Sequence, residues 1–189
     1  MIWFTSDLHF SHNREFIYGP RGFSNVEDMN RAIVENFNKV VGPNDDVYIL
    51  GDVCLGGGSD EAMRANKEMI SSLKGKLHII LGNHDSDARI EMYKNCHNVV
   101  EVVDAKFFKY DGWTFFLSHY PSNTSNLEKE FSKHCVLNLY GHTHQKSNFY
   151  NGIPYMYHVG VDSHNCSPVS IDTILKDIKK EVKNCLAEI

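Results

Sequence analysis

The chain has 189 residues, 42% apolar and 23% charged, the balance of an ordinary soluble globular protein, which excludes disordered, collagen-like and coiled-coil classes. Nineteen Lys and Arg against 24 Asp and Glu leave a formal charge of −5, which argues against the broad basic footprint that long nucleic acid requires. No apolar run reaches the roughly 18 residues of a membrane span, and MIWFTSDLHF, with no basic lead and an Asp at position 7, does not read as a signal peptide.

The elements follow in chain order. Residues 1–6 read as a short buried strand ending at Asp7. Residues 27–41 place Met29, Ile33, Phe37 and Val40 at helical spacing, and Gly42-Pro43 stops that helix. Residues 46–50 (DVYIL) read as a strand ending at Gly51-Asp52. Residues 59–73 read as a helix with Ser59 as its N-cap. Residues 76–81 (KLHIIL) form a third strand that ends at Gly82-Asn83. This β–α–β–α–β order predicts a right-handed parallel sheet.

In the second half, 106–110 and 113–118 flank Asp111-Gly112, and 149–150 and 153–158 flank Asn151-Gly152. Both are two-residue hairpin signals, so antiparallel strands are expected to dominate there. Residues 136–140 form a strand ending at Gly141-His142, and Pro168 and Ser170 open a final helix to about residue 187. The whole predicts an α/β fold of two packed mixed β-sheets flanked by helices, one domain over residues 1–189. Five cysteines at 54, 96, 135, 166 and 185, none in a CxxC pair, read as reduced thiols of a cytoplasmic protein.

Histidine occurs 11 times, and most copies follow an apolar run. Asp7-Leu8-His9, Gly51-Asp52, Gly82-Asn83-His84-Asp85, Ser118-His119 and Gly141-His142-Thr143-His144 each stand at the end of a predicted strand, where α/β sheets bind ligands. Asp7 and His9, like His142 and His144, are two apart, which in extended backbone aims both side chains the same way. Imidazole with carboxylate suits Mn, Fe, Zn or Ni. Asp7, His9, Asp52, Asn83, His119, His142 and His144 exceed what one ion needs. Two ions about 3.5–4 Å apart, sharing a bridging carboxylate, fit the count.

This ordered set resembles the calcineurin-like metallophosphoesterase superfamily, and the stretches SDLHFSHN, FSNVEDMNRAIVENFN and VGVDSHNCSPVSIDTI resemble a small bacterial and phage-type subgroup of it. The resemblance implies an αββα sandwich and two divalent ions, with manganese among the metals. It implies one ion on Asp7, His9, Asp52 and His144, and another on Asp52, Asn83, His119 and His142, bridged by Asp52. His84 is then the catalytic residue, facing the leaving oxygen or a phosphoryl oxygen, and Asp85 braces the turn. Protein phosphatases of this superfamily carry a second Asp and an Arg after Gly-Asp; here Leu55 and Gly56 stand there. The reading is a phosphodiesterase acting on a nucleotide or other small phosphoester, with no membrane partner. A phosphomonoesterase, a nuclease on short nucleic-acid ends and a non-catalytic scaffold are the alternatives.

His12, Arg21 and His164 are expected to touch substrate, with Arg14 weighed on the same footing as Arg21. His78, His97, His134 and His158 read as structural. Phe107, Phe108, Phe115 and Phe116 read as core.

Overall fold

The computed structural model describes residues 1–56, 58–124 and 135–187, so His134 lies outside the described residues. Strands β1 (Ile2–Thr5), β2 (Asp46–Leu50) and β3 (Lys76–Ile80) pair in parallel, as the alternating pattern demands. Strand β4 (Val99–Val103) adds a fourth parallel strand, and β10 (Val169–Ser170) closes the other edge antiparallel. A single turn, α1 (Glu15–Tyr18), follows the first strand. Helices α2 (Val26–Val40), α3 (Asp60–Ser71) and α4 (Asp87–Lys94) make the crossovers. The Ser59 hydroxyl caps α3, accepting from the Ala62 amide at 3.2 Å.

The DVYIL strand shows why this sheet is covered on both faces. Val47 and Ile49 pack with Ile33 and Phe37 of α2 and with Ile70 of α3, whereas Tyr48 and Leu50 point to the second sheet. Each fully buried Leu, Ile or Phe contributes about 1.5–3 kcal/mol. Val40 departs from its expected inward position and is exposed. The helix ends there, the backbone turns extended at Val41, and Val41 is buried in its place.

The second sheet has the order β5-β6-β7-β9-β8. Its strands are β5 (Lys106–Tyr110), β6 (Trp113–Leu117), β7 (Val136–Tyr140), β8 (Phe149–Tyr150) and β9 (Ile153–His158). Both hairpins form. Asp111 and Gly112 have φ of 46° and 76°, Asn151 and Gly152 have 48° and 73°, the positive pair a type I′ turn needs. The expectation that antiparallel pairing dominates is overturned, because β6, β7 and β9 run parallel and only the edge strands are antiparallel. A turn signal reports only its two flanking strands; the crossovers between hairpins set the rest.

The aromatic run also divides. Phe108 and Phe115 pack inside with Phe4 and Tyr48, while Phe107 is exposed and leans on Phe116 at 5.1 Å between centroids. Alternation along a strand cannot bury two neighbours on one face. The final helix α5 (Ile171–Ala187) sends Ile174 and Ile178 into the layer between the sheets. Among the described residues no helix is long and apolar enough to cross a membrane.

Candidate metal centre

The parallel strands of both sheets bring their carboxyl ends to one rim. The loop after β1 zips onto the loop after β2: Asp7 N donates to Gly51 O at 3.0 Å and His9 N to Asp52 O at 3.0 Å. The i, i+2 pairs do converge, but not through extended backbone. Asp7, His9, Asp52, His142 and His144 have φ of 56°, 50°, 54°, 68° and 48°. Each is a left-handed residue costing of the order of 1–3 kcal/mol, a strain that persists only where surrounding structure imposes it. Two glycines make room for the side chains so presented. A Cβ on Gly51, itself at φ 86°, would lie 2.4 Å from His119 Nδ1, and one on Gly141 would lie 2.6 Å from Asp7 Oδ2.

Nitrogen and oxygen acceptors crowd together at this rim. His9 Nε2 lies 3.1 Å from His144 Nε2 and 3.6 Å from Asp52 Oδ2. His119 Nε2 lies 3.0 Å from Asn83 Oδ1, 3.2 Å from His142 Nδ1 and 3.5 Å from Asp52 Oδ2. His142 Nδ1 is 3.0 Å from Asn83 Oδ1. Atoms that share one ion at about 2.1 Å sit about 3–3.5 Å apart, so these spacings would suit a coordination shell. Asp7, His9 and His144 form one convergent group, and Asp7, Asp52 and His119 another. Asp7 thus reaches into both groups, a more central place than the end-ligand position that the resemblance assigns it.

Two tautomers are fixed from outside the cluster. His119 Nδ1–H donates to Leu50 O at 2.8 Å, and His144 Nδ1–H to Asp162 Oδ2 at 3.0 Å. The Nε2 of each ring is therefore turned toward other acceptors. Burial and the neighbouring cationic groups push His9 down to about 2, which keeps its ring neutral. Burial raises the Asp7 carboxyl. His144 is disfavoured as a cation by burial, yet its bond to Asp162 and the nearby Asp7 outweigh this and raise it. Lone pairs that face one another at a buried rim suit a bound cation. Divalent metal fits the donor set.

The turn carrying His84 is anchored on Asp52. His84 N donates to Asp52 Oδ1 at 3.0 Å, and the imidazole is 41% exposed with Nε2 3.9 Å from Asp52 Oδ2. Asp85 braces the turn as expected, accepting from Gly82 N at 2.8 Å, Asp52 N at 3.0 Å and the Tyr93 hydroxyl at 2.7 Å.

The expected substrate contacts land in three different places. His12 stands at the cluster, with Nδ1 3.2 Å from His9 Nδ1 and its ring 6.1 Å from that of His84. Arg21 is buried behind it. Its guanidinium donates to Asp162 at 3.0 and 2.8 Å and to Asp7 O at 2.9 Å. Those donors are engaged, which leaves Arg21 holding the backbone of Asp7 and not facing solvent. His164 stacks on Tyr157 and its Nε2 lies 2.9 Å from His158 O; among the described residues it shares no hydrogen bond with the cluster. His78 bridges Asp46 and Glu101, and His158 is buried against Ser163, both structural as expected. His97 is exposed.

Sequence reasoning missed Asp162 and Arg89. Asp162 ends the apolar run Val159–Val161 just as Asp7 ends residues 1–6, which is the signal that marks it. Arg89 holds the His84 carbonyl at 2.7 Å, and nothing in its spacing announces that.

The chain is similar to known proteins in sequence and in fold. Residues 1–161 match the family model described as calcineurin-like phosphoesterase superfamily domain. An uncharacterized protein of Methanocaldococcus jannaschii is 33% identical over 185 residues, 95% of this chain and 92% of that protein. The gene 66 protein of Mycobacterium phage D29 is 28% identical over 204 residues, covering 95% of this chain and 98% of its own. The crystal structure of a protein of unknown function from Aquifex aeolicus superposes with a TM-score of 0.67 at 25% identity, covering 93% of this chain and 98% of that one. With residues 1–161 matched by that family model, the chain belongs to the calcineurin-like phosphoesterase superfamily, the metal-dependent enzymes that hydrolyse phosphoesters.

Proposed function

We propose that residues 1–189 act as one catalytic domain, a dinuclear phosphodiesterase on a nucleotide or other small phosphoester, with manganese as the first metal to supply. Asp7, His9, Asp52 and His144 would hold one ion and Asp52, Asn83, His119 and His142 the other, the two groups meeting at Asp52 Oδ2 between His9 and His119. Such ions supply positive charge to phosphoryl oxygens and make water more acidic. The chain's own residues orient and exchange protons. Asp162 fixes the His144 ring, Leu50 O fixes His119, and His84 at the exposed rim gives a proton to the leaving oxygen. The same reading places the enzyme in a reducing cytoplasm, in keeping with buried Cys54, Cys96 and Cys166 outside any disulfide.

The observation that carries the diester preference is the position of Arg21. A monoester brings a dianion that protein phosphatases meet with extra arginine. Here Leu55 and Gly56 replace that element, and Arg21 is already neutralised by Asp162. A monoanionic diester asks for less positive charge. The test is a panel of a phosphomonoester, a phosphodiester, cyclic nucleotides and an oligonucleotide, run after chelation and again with Mn²⁺ or Ni²⁺. Chelated protein is expected to be inert and the restored protein to favour diesters; turnover of the monoester alone overturns the diesterase reading.

His84→Ala is expected to slow diester turnover by about 10²–10⁴-fold, the range of a lost general acid. Metal content, read by elemental analysis, should stay at the wild-type value. Loss of bound metal in this variant would make His84 a ligand and not the proton donor.

A further inference from the structure

Beside His84 the surface opens into a cavity of about 410 Å³ lined by Ser11, His12, Asn13, Arg14, Leu55 and Gly56. That size is within the range of small-ligand sites, about 300–1,000 Å³. His12 forms its inner wall, between the rings of His9 at 5.1 Å and His84 at 6.1 Å. Arg89 ties the cavity to the His84 turn, donating to His84 O at 2.7 Å and to Gly56 O at 3.2 Å.

Arg14 lines it, Phe16 stands against His12 of its wall, and neither has an evident task in the fold. The Arg14 guanidinium lines the cavity and meets no carboxylate among the described residues. Phe16 is 66% exposed and stands edge-on to His12 at 5.8 Å between centroids. A free guanidinium recognises phosphate in a fork of two hydrogen bonds, and an exposed flat ring is a platform on which a nucleobase stacks.

We propose that this cavity is the leaving-group subsite, and that the leaving group it takes is a nucleotide, a nucleoside that carries a phosphate of its own. The proposal rests on the phosphodiesterase reading for its direction: the side of the centre where His84 delivers a proton is the side where the leaving oxygen departs. In the reaction the oxygen of water joins phosphorus, and the bond from phosphorus to the nucleoside oxygen breaks. That oxygen takes the proton from His84, and the proton lost by water restores the imidazole. The departing base rests on Phe16 and its own phosphate meets Arg14. The substrate class is therefore a short dinucleotide bearing a terminal phosphate on the leaving nucleoside. A chain of charge −5 can bind it through one local cation without a basic face for long nucleic acid.

The test is calorimetric binding, in Mn²⁺, of a dithymidine phosphorothioate with and without a 5′-phosphate on the leaving nucleoside. Wild type is expected to bind the phosphorylated probe about tenfold tighter or better. Arg14→Ala should erase that difference and Arg14→Lys restore part of it. Phe16→Ala should weaken both probes by about five- to a hundredfold, and Phe16→Tyr should not. Equal wild-type affinity for the two probes, or wild-type binding by both alanine variants, overturns the subsite. If the wild type binds as expected but fails to cleave the oxygen diester, the diesterase reading falls and the subsite stands.

Discussion

Replacing Asp52 by Asn is expected to lower diester turnover by at least about a thousandfold while leaving the fold intact. Asp52 is buried, and its Oδ2 stands 3.6 Å from His9 Nε2, 3.5 Å from His119 Nε2 and 3.9 Å from His84 Nε2. Among the described residues, no other carboxylate oxygen lies so close to ligand candidates of both proposed groups and to the proposed proton donor. An amide of the same shape keeps Oδ1 free to accept from His84 N, so the turn survives. It removes the negative charge that would draw two ions together, an effect of several kcal/mol at about 1.4 kcal/mol per tenfold. The amide also brings N–H donors to imidazole lone pairs that otherwise face acceptors. The variant should consequently melt in chelator no lower than wild type, and gain less on adding Mn²⁺, since stabilisation by a ligand follows its affinity. Wild-type rates in saturating Mn²⁺ would end the assignment of Asp52 as the shared ligand.

Much of this site could be read from residue type and position. Strand ends are legible because apolar runs stop where polar side chains gather, and Asp7, Asp52, Asn83, His119 and His142 all stand at such stops. The first sheet was legible because strand and helix periods alternate cleanly. The second was half legible, since Asp111-Gly112 and Asn151-Gly152 fix hairpins but say nothing of how β6, β7 and β9 line up. Helix α4 escaped because its apolar residues at 88, 90 and 92 alternate with polar ones, the period of a strand and not of a helix.

Backbone conformation was the least visible. Five polar ligand candidates adopt left-handed φ, and neither Asp nor His requires it by type; packing of one rim loop on another does. Arg21 shows the same limit from the other side. An arginine 14 residues after Asp7 reads as a free cation, and only the fold reveals that Asp162, 141 positions later, neutralises it. Arg14, weighed equally from sequence, is the one of the two left facing the cavity.

The pair Arg21 and Asp162 leads to the largest expected loss of stability. Both side chains are almost wholly buried, 1% and 4% exposed, and meet through two parallel hydrogen bonds of 3.0 and 2.8 Å. The same Asp162 oxygen that accepts from Arg21 Nη2 accepts from His144 Nδ1, and the same guanidinium holds the Asp7 carbonyl. Burial opposes the Asp162 charge, yet the bonds from His144 and Arg21 hold the carboxyl below its ordinary range. Asp162→Asn therefore leaves a guanidinium buried without its counter-ion, which costs about 3–5 kcal/mol. Urea unfolding of the chelated protein reads this loss without any contribution from metal.

A second consequence separates positioning from mere stability. The Asn carbonyl can still accept from His144, but it no longer polarises the ring, and partners of this kind change metal affinity by about 10–100-fold. Mn²⁺ titration of Asp162→Asn, at a urea-free temperature where the variant is folded, should show weaker binding. Adding Arg21→Met removes the stranded charge and should recover part of the stability but none of the affinity. Recovery of both in the double variant would reduce the pair to a structural ion pair, and wild-type unfolding of Asp162→Asn alone would show that the buried charge is compensated elsewhere.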